Sequence, residues 1–408
     1  MAWYRRNRER SATLFALIDR DAFYDRPIPL RHPFAFYEGH IPAFSFTTLN
    51  ERGLGQAPID PAFARLFERG IDPASLDEAR RHQRTDWPSR EAVAAFAARC
   101  DDCVEQALEF GRIEDASVPR LVRGQAAYTI LEHEAMHQET LMYIVHQLPY
   151  DRKRRIVGRH EDHAVLAREF RSIASGTATL GAEPNELLFG WDNEFRRTEI
   201  AVPSFDIAAY PVTNGDWLKF VADGGPVPVF WEERDGEWRL RTQFEEIPLP
   251  RSWPVYVTHL QAQGYARWAK MRLPSEAEYH RAAFGTRSGE ERAFPWGAEP
   301  PSKLHGNFGF ERYDPGPVDA HPAGTSAWGV ADLIGNGWEW TSTPFGPLPG
   351  FEPMASYPRY SADFFDGKHY VMKGASPVTP VELIRRSFRN WFYGDYPYMY
   401  AKFRCVAA

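Results

Sequence analysis

Up to about Tyr150 the chain reads as one helix after another, and after Ser172 it reads as almost none, a break that constrains the fold more than any other feature. Apolar residues recur at helical spacing over Ser11 to Asp19, Asp60 to Glu68, Arg90 to Gly111 and Arg120 to Gln147, between polar breaks. This predicts a small helical bundle. A charged stretch follows, Asp151-Arg-Lys-Arg-Arg and then Arg159-His-Glu-Asp-His. Beyond it, short β-branched runs alternate with Gly, Pro and Trp, and helical spacing returns only over Thr213 to Ala222, Thr258 to Met271 and Ser275 to Gly285. At 408 residues the chain is too long for one ordinary core. The expected division is a helical domain over 1–155, a linker over 156–172 and an α+β domain over 173–408. Thirteen tryptophans and 28 phenylalanines suit a loop-rich second domain pinned by large side chains.

A formal net charge of -7, with the basic residues scattered, leaves no patch suited to nucleic acid or an anionic membrane. The N-terminus, Met1-Ala-Trp-Tyr-Arg-Arg, lacks the apolar core of a secretory signal, and no run of about 18 apolar residues is available to span a bilayer. The expected setting is cytoplasmic, with small molecules as partners and neither nucleic acid nor membrane. Cys100 and Cys103 form a lone C-x-x-C in a charged helical stretch and are expected to be reduced structural thiols.

The sharpest local signal is Ile130-Leu-Glu-His133-Glu134-Ala-Met-His137-Gln-Glu139-Thr-Leu141, inside the longest helical run. Residues four apart share a helix face, and Ile130, Leu141 and Ile144 lie on the same stripe, so both imidazoles are expected to face the bundle core. Buried imidazoles need partners. A metal ion satisfies both, since neutral imidazole is a ligand for zinc, copper, iron and nickel. A hydrogen-bonded pair of core histidines is the plainer alternative. Glu139 falls roughly on the opposite side of the helix and is expected at the surface or in a supporting role.

The same residues fit H-E-x-x-H, the zinc metalloprotease pattern with Glu134 as general base. The longer metzincin form needs Gly where Thr140 stands and His where Tyr143 stands, which leaves His160, Glu161 and His163 as the nearest third ligands. The upstream alternative is His40, in the apolar and aromatic segment Phe36-Tyr-Glu-Gly-His40-Ile-Pro-Ala-Phe44. Three histidines with open positions leave a metal free to take further ligands, unlike a closed structural site.

Together with five blocks in the second half, these pieces resemble the iron-dependent sulfoxide synthase family of ergothioneine biosynthesis. The blocks are Phe205-Asp-Ile-Ala-Ala-Tyr-Pro-Val-Thr-Asn-Gly-Asp-Trp217, Arg272-Leu-Pro-Ser-Glu-Ala-Glu-Tyr279, Phe294-Pro-Trp-Gly297, Asn336-Gly-Trp-Glu-Trp-Thr-Ser342 and Ser387-Phe-Arg-Asn-Trp391. The resemblance implies a multidomain fold: an N-terminal all-α DinB-like helical bundle, then a C-terminal α+β formylglycine-generating-enzyme-like (C-type-lectin-like) domain. It implies His40, His133 and His137 as ligands of Fe(II), with O2 as co-substrate. The substrate it implies is hercynine, the trimethylated betaine of histidine, whose imidazole is joined to sulfur or selenium. Tyr357, in Tyr357-Pro-Arg-Tyr360-Ser, matches a family tyrosine that supplies a proton or hydrogen atom near the iron, with Tyr360 beside it; a phenol suits either transfer. Asn390 and Trp391 match the hercynine pocket, where an aromatic face suits a quaternary ammonium.

The chain departs from the family at the donor. Members that use γ-glutamylcysteine carry an Asp directly after the Asn-Trp pair and an Arg four residues later; here those positions are Phe392 and Tyr396. Phenylalanine cannot hold an ammonium by charge, and tyrosine cannot replace a bidentate carboxylate clamp. With Tyr393, Tyr398 and Tyr400 close by in sequence, the segment suits an uncharged polar donor such as a selenosugar, and the chain looks most like the selenoneine synthase branch. Met136 replaces a glutamine often seen between the two helix histidines. A sulfoxide synthase using cysteine or γ-glutamylcysteine is the alternative within the family, and a non-catalytic small-molecule-binding protein is the alternative outside it. Formylglycine-generating activity itself needs a cysteine pair in the second domain, where Cys405 stands alone.

Overall fold

The computed structural model describes residues 1–68, 86–158 and 160–408. They form two compact units: Met1–Ile156 with Met354–Pro358, and Val157–Pro353 with Arg359–Ala408. Among the described residues no helix is long and apolar enough to cross a membrane.

The first unit is helical. Its helices are α1 (Ala2–Phe15), α2 (Phe34–Ser45, running into a π-helical turn over Phe46–Glu51), α3 (Pro61–Leu66), α4 (Arg90–Phe110) and α5 (Gln125–Gln147). Ser89 caps α4 by accepting from the Ala92 amide, and Asp60 caps α3 ahead of Pro61. Helix α2 packs against both α4 and α5, and α1 lies along α5.

Two features differ from the sequence reading. Helix α1 starts at Ala2 instead of Ser11, because its polar first turns have no apolar period yet find partners across the bundle: Asn7 Nδ2 donates to the Leu131 carbonyl and Arg10 to Gln138. Helix α2 had no helical signal because nearly every residue in it is buried, so no polar face marks a period.

The second unit is α+β. Its strands are β1 (Phe170–Ile173), β2 (Gly176–Leu180), β3 (Thr198–Val202), β4 (Phe205–Ala208), β5 (Trp231–Arg234), β6 (Glu237–Arg241), β7 (Glu246–Pro248), β8 (Met271–Arg272), β9 (Gly337–Pro344), β10 (His369–Ala375), β11 (Asn390–Tyr393), β12 (Ala401–Lys402) and β13 (Val406–Ala407). They form sheets ordered β1-β4-β13-β8 and β11-β10-β9-β12, a β2-β3 hairpin and a β5-β6-β7 meander. Strand β1 begins inside the stretch read as linker, where it pairs antiparallel with β4. Helices α6 (Asn214–Ala222), α7 (His259–Trp268) and α8 (Glu276–Phe284) each open on a capping box, Thr213 with Asp216, Thr258 with Gln261 and Ser275 with Glu278.

What replaces regular structure in this unit is a set of buried ion pairs. Arg404 meets Glu339 at 2.5 Å with both side chains wholly buried. Arg389 meets Glu276 at 2.8 Å, Arg385 meets Glu194 and Lys402 meets Asp332. Lys373, buried beside Glu276, donates to the Arg386 and Phe388 carbonyls. Arg404, Arg389 and Lys402 also donate to backbone carbonyls, so their remaining protons are satisfied beyond the ion pair, the condition for burying such charges at all.

Candidate metal centre

His40 of α2 and His133 and His137 of α5 converge inside the first unit. Their ring nitrogens can be chosen so that all three lie within 4.8 Å of one another. The His133 and His137 Nε2 atoms are 3.1 Å apart. His40 donates from Nδ1 to the Phe67 carbonyl at 2.8 Å, which fixes its neutral tautomer and leaves Nε2 with a lone pair. That carbonyl approaches so closely because residue 39 is glycine: a Cβ there would lie 2.3 Å from the Phe67 ring. Burial pushes His40 down to about 4 and holds His137 well below its ordinary range. His40 and His137 are therefore set up to be neutral ligands at pH 7.

The cluster fits a metal ion. Two nitrogens about 2.1 Å from one ion and at right angles lie about 3 Å apart, close to the His133–His137 separation. The His137 Nδ1 atom is buried with no hydrogen-bond partner, so the polar contact of that ring is through Nε2, on the side of His133. No carboxylate belongs to the cluster among the described residues. A three-histidine set with no thiolate and no carboxylate leaves the metal's full charge uncompensated and positions open, which suits a site that takes anionic or oxygen ligands from substrates.

Tyr357 belongs to the same unit through the returning segment Met354–Pro358, which is fastened to α5: Ser356 meets Thr129, and its amide donates to Gln125. The Tyr357 ring lies 6.2 Å from the His133 ring. A second phenol, Tyr37, is buried 5.6 Å from His137 and was not picked out in the sequence. Its position three residues before His40 on one helix face is the signal that could have found it.

Glu134 is not poised as a metalloprotease base. Its carboxylate accepts from Arg8 at 2.9 Å and from Ser11 at 2.7 Å, both on α1, and is fully buried. Burial pushes its carboxyl above the ordinary value against the pull of Arg8. The candidate third ligands are engaged within the second unit: His160 with Glu245 at 3.0 Å, His163 with Asp319 at 2.7 Å and Glu161 with Arg312. Glu139, expected at the surface or in support, is buried and accepts from the Tyr143 hydroxyl.

The remaining site candidates lie in the second unit, and the strand period divides them. On β11, Asn390 and Phe392 leave one face and Trp391 the other, since successive side chains alternate. Trp391 stacks on Phe345 at 4.2 Å and meets the Tyr360 edge at 5.1 Å, while Tyr360 stacks on Trp191 at 3.9 Å. Tyr360 is thus part of that aromatic group, although only two residues separate it from Tyr357. Phe392 packs on Tyr396 at 5.1 Å, and Tyr396 on Tyr398 at 5.5 Å. Asn390 accepts the Trp391 amide through Oδ1.

The DinB superfamily matches residues 4–141, and the sulfatase-modifying factor enzyme 1-like domain matches residues 159–408. A protein of Mycolicibacterium thermoresistibile named hercynine oxygenase is 37% identical, with 90% of this chain and 85% of that protein covered. One of the same name from Mycobacterium tuberculosis is 39% identical over 54% of this chain and 55% of its own length. Ergothioneine biosynthesis protein 1 of Schizosaccharomyces pombe is 30% identical over 96% of this chain and 53% of its own length. The match thus spans about half the length of the last two.

Proposed function

Because the chain belongs to the hercynine oxygenase family, the sulfoxide synthases of ergothioneine biosynthesis, we propose that it is an iron(II)-dependent, oxygen-using enzyme that joins the hercynine imidazole to a sulfur or selenium donor. The observation that carries this reading is the convergence of His40, His133 and His137 with no carboxylate among them. Ferrous iron held there would supply the redox chemistry that no side chain of the cluster possesses. The chain's own part is to keep His40 and His137 neutral by burial, to fix His40 through the Phe67 carbonyl and to hold the Tyr357 phenol beside His133 as a source of a proton or hydrogen atom. In the net reaction an imidazole C–H and a donor S–H or Se–H are exchanged for a carbon–chalcogen bond. One oxygen atom of O2 ends on the chalcogen and the other in water.

For the donor, Phe392, Tyr396 and Tyr398 form a packed group without charge, which supports an uncharged polar donor, a selenosugar. A thiol such as cysteine or γ-glutamylcysteine is the second reading, supported by the names of the relatives. The test offers hercynine, O2 and iron-loaded protein an equal mixture of selenosugar, thiosugar, cysteine and γ-glutamylcysteine, with products identified by mass spectrometry. The selenosugar adduct is expected to dominate. A dominant γ-glutamylcysteine adduct would keep the enzyme class and overturn the donor.

A further inference from the structure

We propose that Phe44 is a positioning residue of the metal centre: one aromatic plate that fixes the ring plane of His133 and seats the Tyr357 phenol beside it. The inference rests on the metal site proposed above. Phe44 follows His40 by four residues, so both side chains leave the same face of α2. Its ring stacks face to face on His133, with centroids 3.5 Å apart and planes 11° from parallel. The same ring meets Tyr357 edge-on, at 5.1 Å and 62°. Three segments far apart in the chain therefore share one side chain.

A flat ring in contact with an imidazole face restricts rotation of that imidazole, because turning it drives its edge into the aryl carbons. That rotation is the one that would carry His133 Nε2 away from His137 Nε2. His40 has its own restraints, the bond to Phe67 and the Phe36 ring stacked at 4.8 Å and 16°, whereas the ring stacked on His133 is Phe44. The centroid distances of 3.5, 5.1 and 6.2 Å among Phe44, His133 and Tyr357 place Tyr357 beside the rim of Phe44 instead of over its face, so the positive rim of the plate meets the phenol ring while its face stays on His133. Leucine would fill nearly the same volume without offering a plane.

The test uses the full chain as wild type, Phe44→Leu and Phe44→Tyr, each prepared metal-free and titrated without oxygen with Fe(II) and separately with Co(II). Phe44→Leu is expected to bind both metals about 10-fold or more weakly, the range seen when an outer-shell partner is lost, and Phe44→Tyr to bind like wild type. Metal-free melting temperatures should stay together. In turnover, Phe44→Leu and Tyr357→Phe should both form less product per O2 consumed, and Phe44→Tyr should restore that ratio. Wild-type metal affinity in Phe44→Leu, equal losses in the two variants, or a loss matched by a lower metal-free melting temperature would each overturn the proposal while leaving the metal site standing. Wild-type protein that takes up neither metal would overturn both.

Discussion

The Nε2 atoms of His133 and His137 face each other across 3.1 Å. At that distance either one neutral ring donates its Nε2–H to the other or a cation takes both lone pairs, and the cation also takes the lone pair of His40 Nε2. The cation is the stabilising answer. Bound metal should therefore raise the melting temperature: at a free concentration 100 times the dissociation constant, mass action contributes about 2.7 kcal/mol. Calorimetry with Fe(II), before and after a chelator, checks this, and a melting curve indifferent to metal would contradict it.

Removing Glu134 should damage the fold rather than a hydrolytic step. Glu134→Ala takes the fully buried carboxylate from Arg8, which keeps its part-exposed partner Asp101, and the acceptor from Ser11, between α1 and α5. A loss of about 3 kcal/mol is expected from breaking a buried pair. Denaturant unfolding measures it. Peptide hydrolysis by metal-loaded wild type, abolished in Glu134→Ala, would instead restore the protease reading.

In the second unit the corresponding weak point is Glu339→Gln, which leaves the wholly buried Arg404 without its carboxylate. The expected loss is about 3–5 kcal/mol. Glu339→Gln together with Arg404→Met should recover part of it, because no charge is then left unpaired. A single variant as stable as wild type would show that the pair contributes little.

Acid should unfold this unit partly through His259. Burial pushes it down to about 4, with its Nε2 bonded to the Thr341 carbonyl and its ring stacked 3.6 Å from Tyr370. The folded value lies below the unfolded value of about 6.5. The folded form therefore holds its full advantage above pH 6.5 and loses it as pH falls toward 4, by roughly 3 kcal/mol. Unfolding midpoints measured from pH 7 to 4 should slope less steeply for His259→Gln; parallel slopes would assign the acid sensitivity elsewhere.

If Phe392 and Tyr396 exclude a charged donor, Phe392→Asp with Tyr396→Arg should raise kcat/KM for γ-glutamylcysteine at least 10-fold relative to wild type while lowering it for a selenosugar. The charge pair would then meet the donor's ammonium and carboxylate. An unchanged ratio of the two would place donor choice on other residues.

Residue spacing carried some of this structure and missed other parts for identifiable reasons. His133 and His137 were legible because an i, i+4 pair on an apolar stripe has few readings. The capping residues Thr213, Thr258 and Ser275 marked three helix starts closely. Helix α2 was hidden because burial on all sides erases the period, so His40 was found without the helix that carries it. The Phe67 carbonyl and the Phe44 plate were hidden because backbone acceptors and ring planes leave no mark on spacing. The separation of Tyr360 from Tyr357 depends on where the chain passes from one unit to the other, between Pro358 and Arg359, a tertiary event with no local signal.

The most direct measurement is an oxygen-free Fe(II) titration of the metal-free full chain, alongside His40→Ala, His133→Ala and His137→Ala. One ion per chain is expected in the wild type, and in each variant affinity lowered at least 100-fold with the melting temperature of the metal-free protein little changed. Tight one-to-one binding that survives the loss of any one of the three histidines would contradict the assignment of the metal to this cluster.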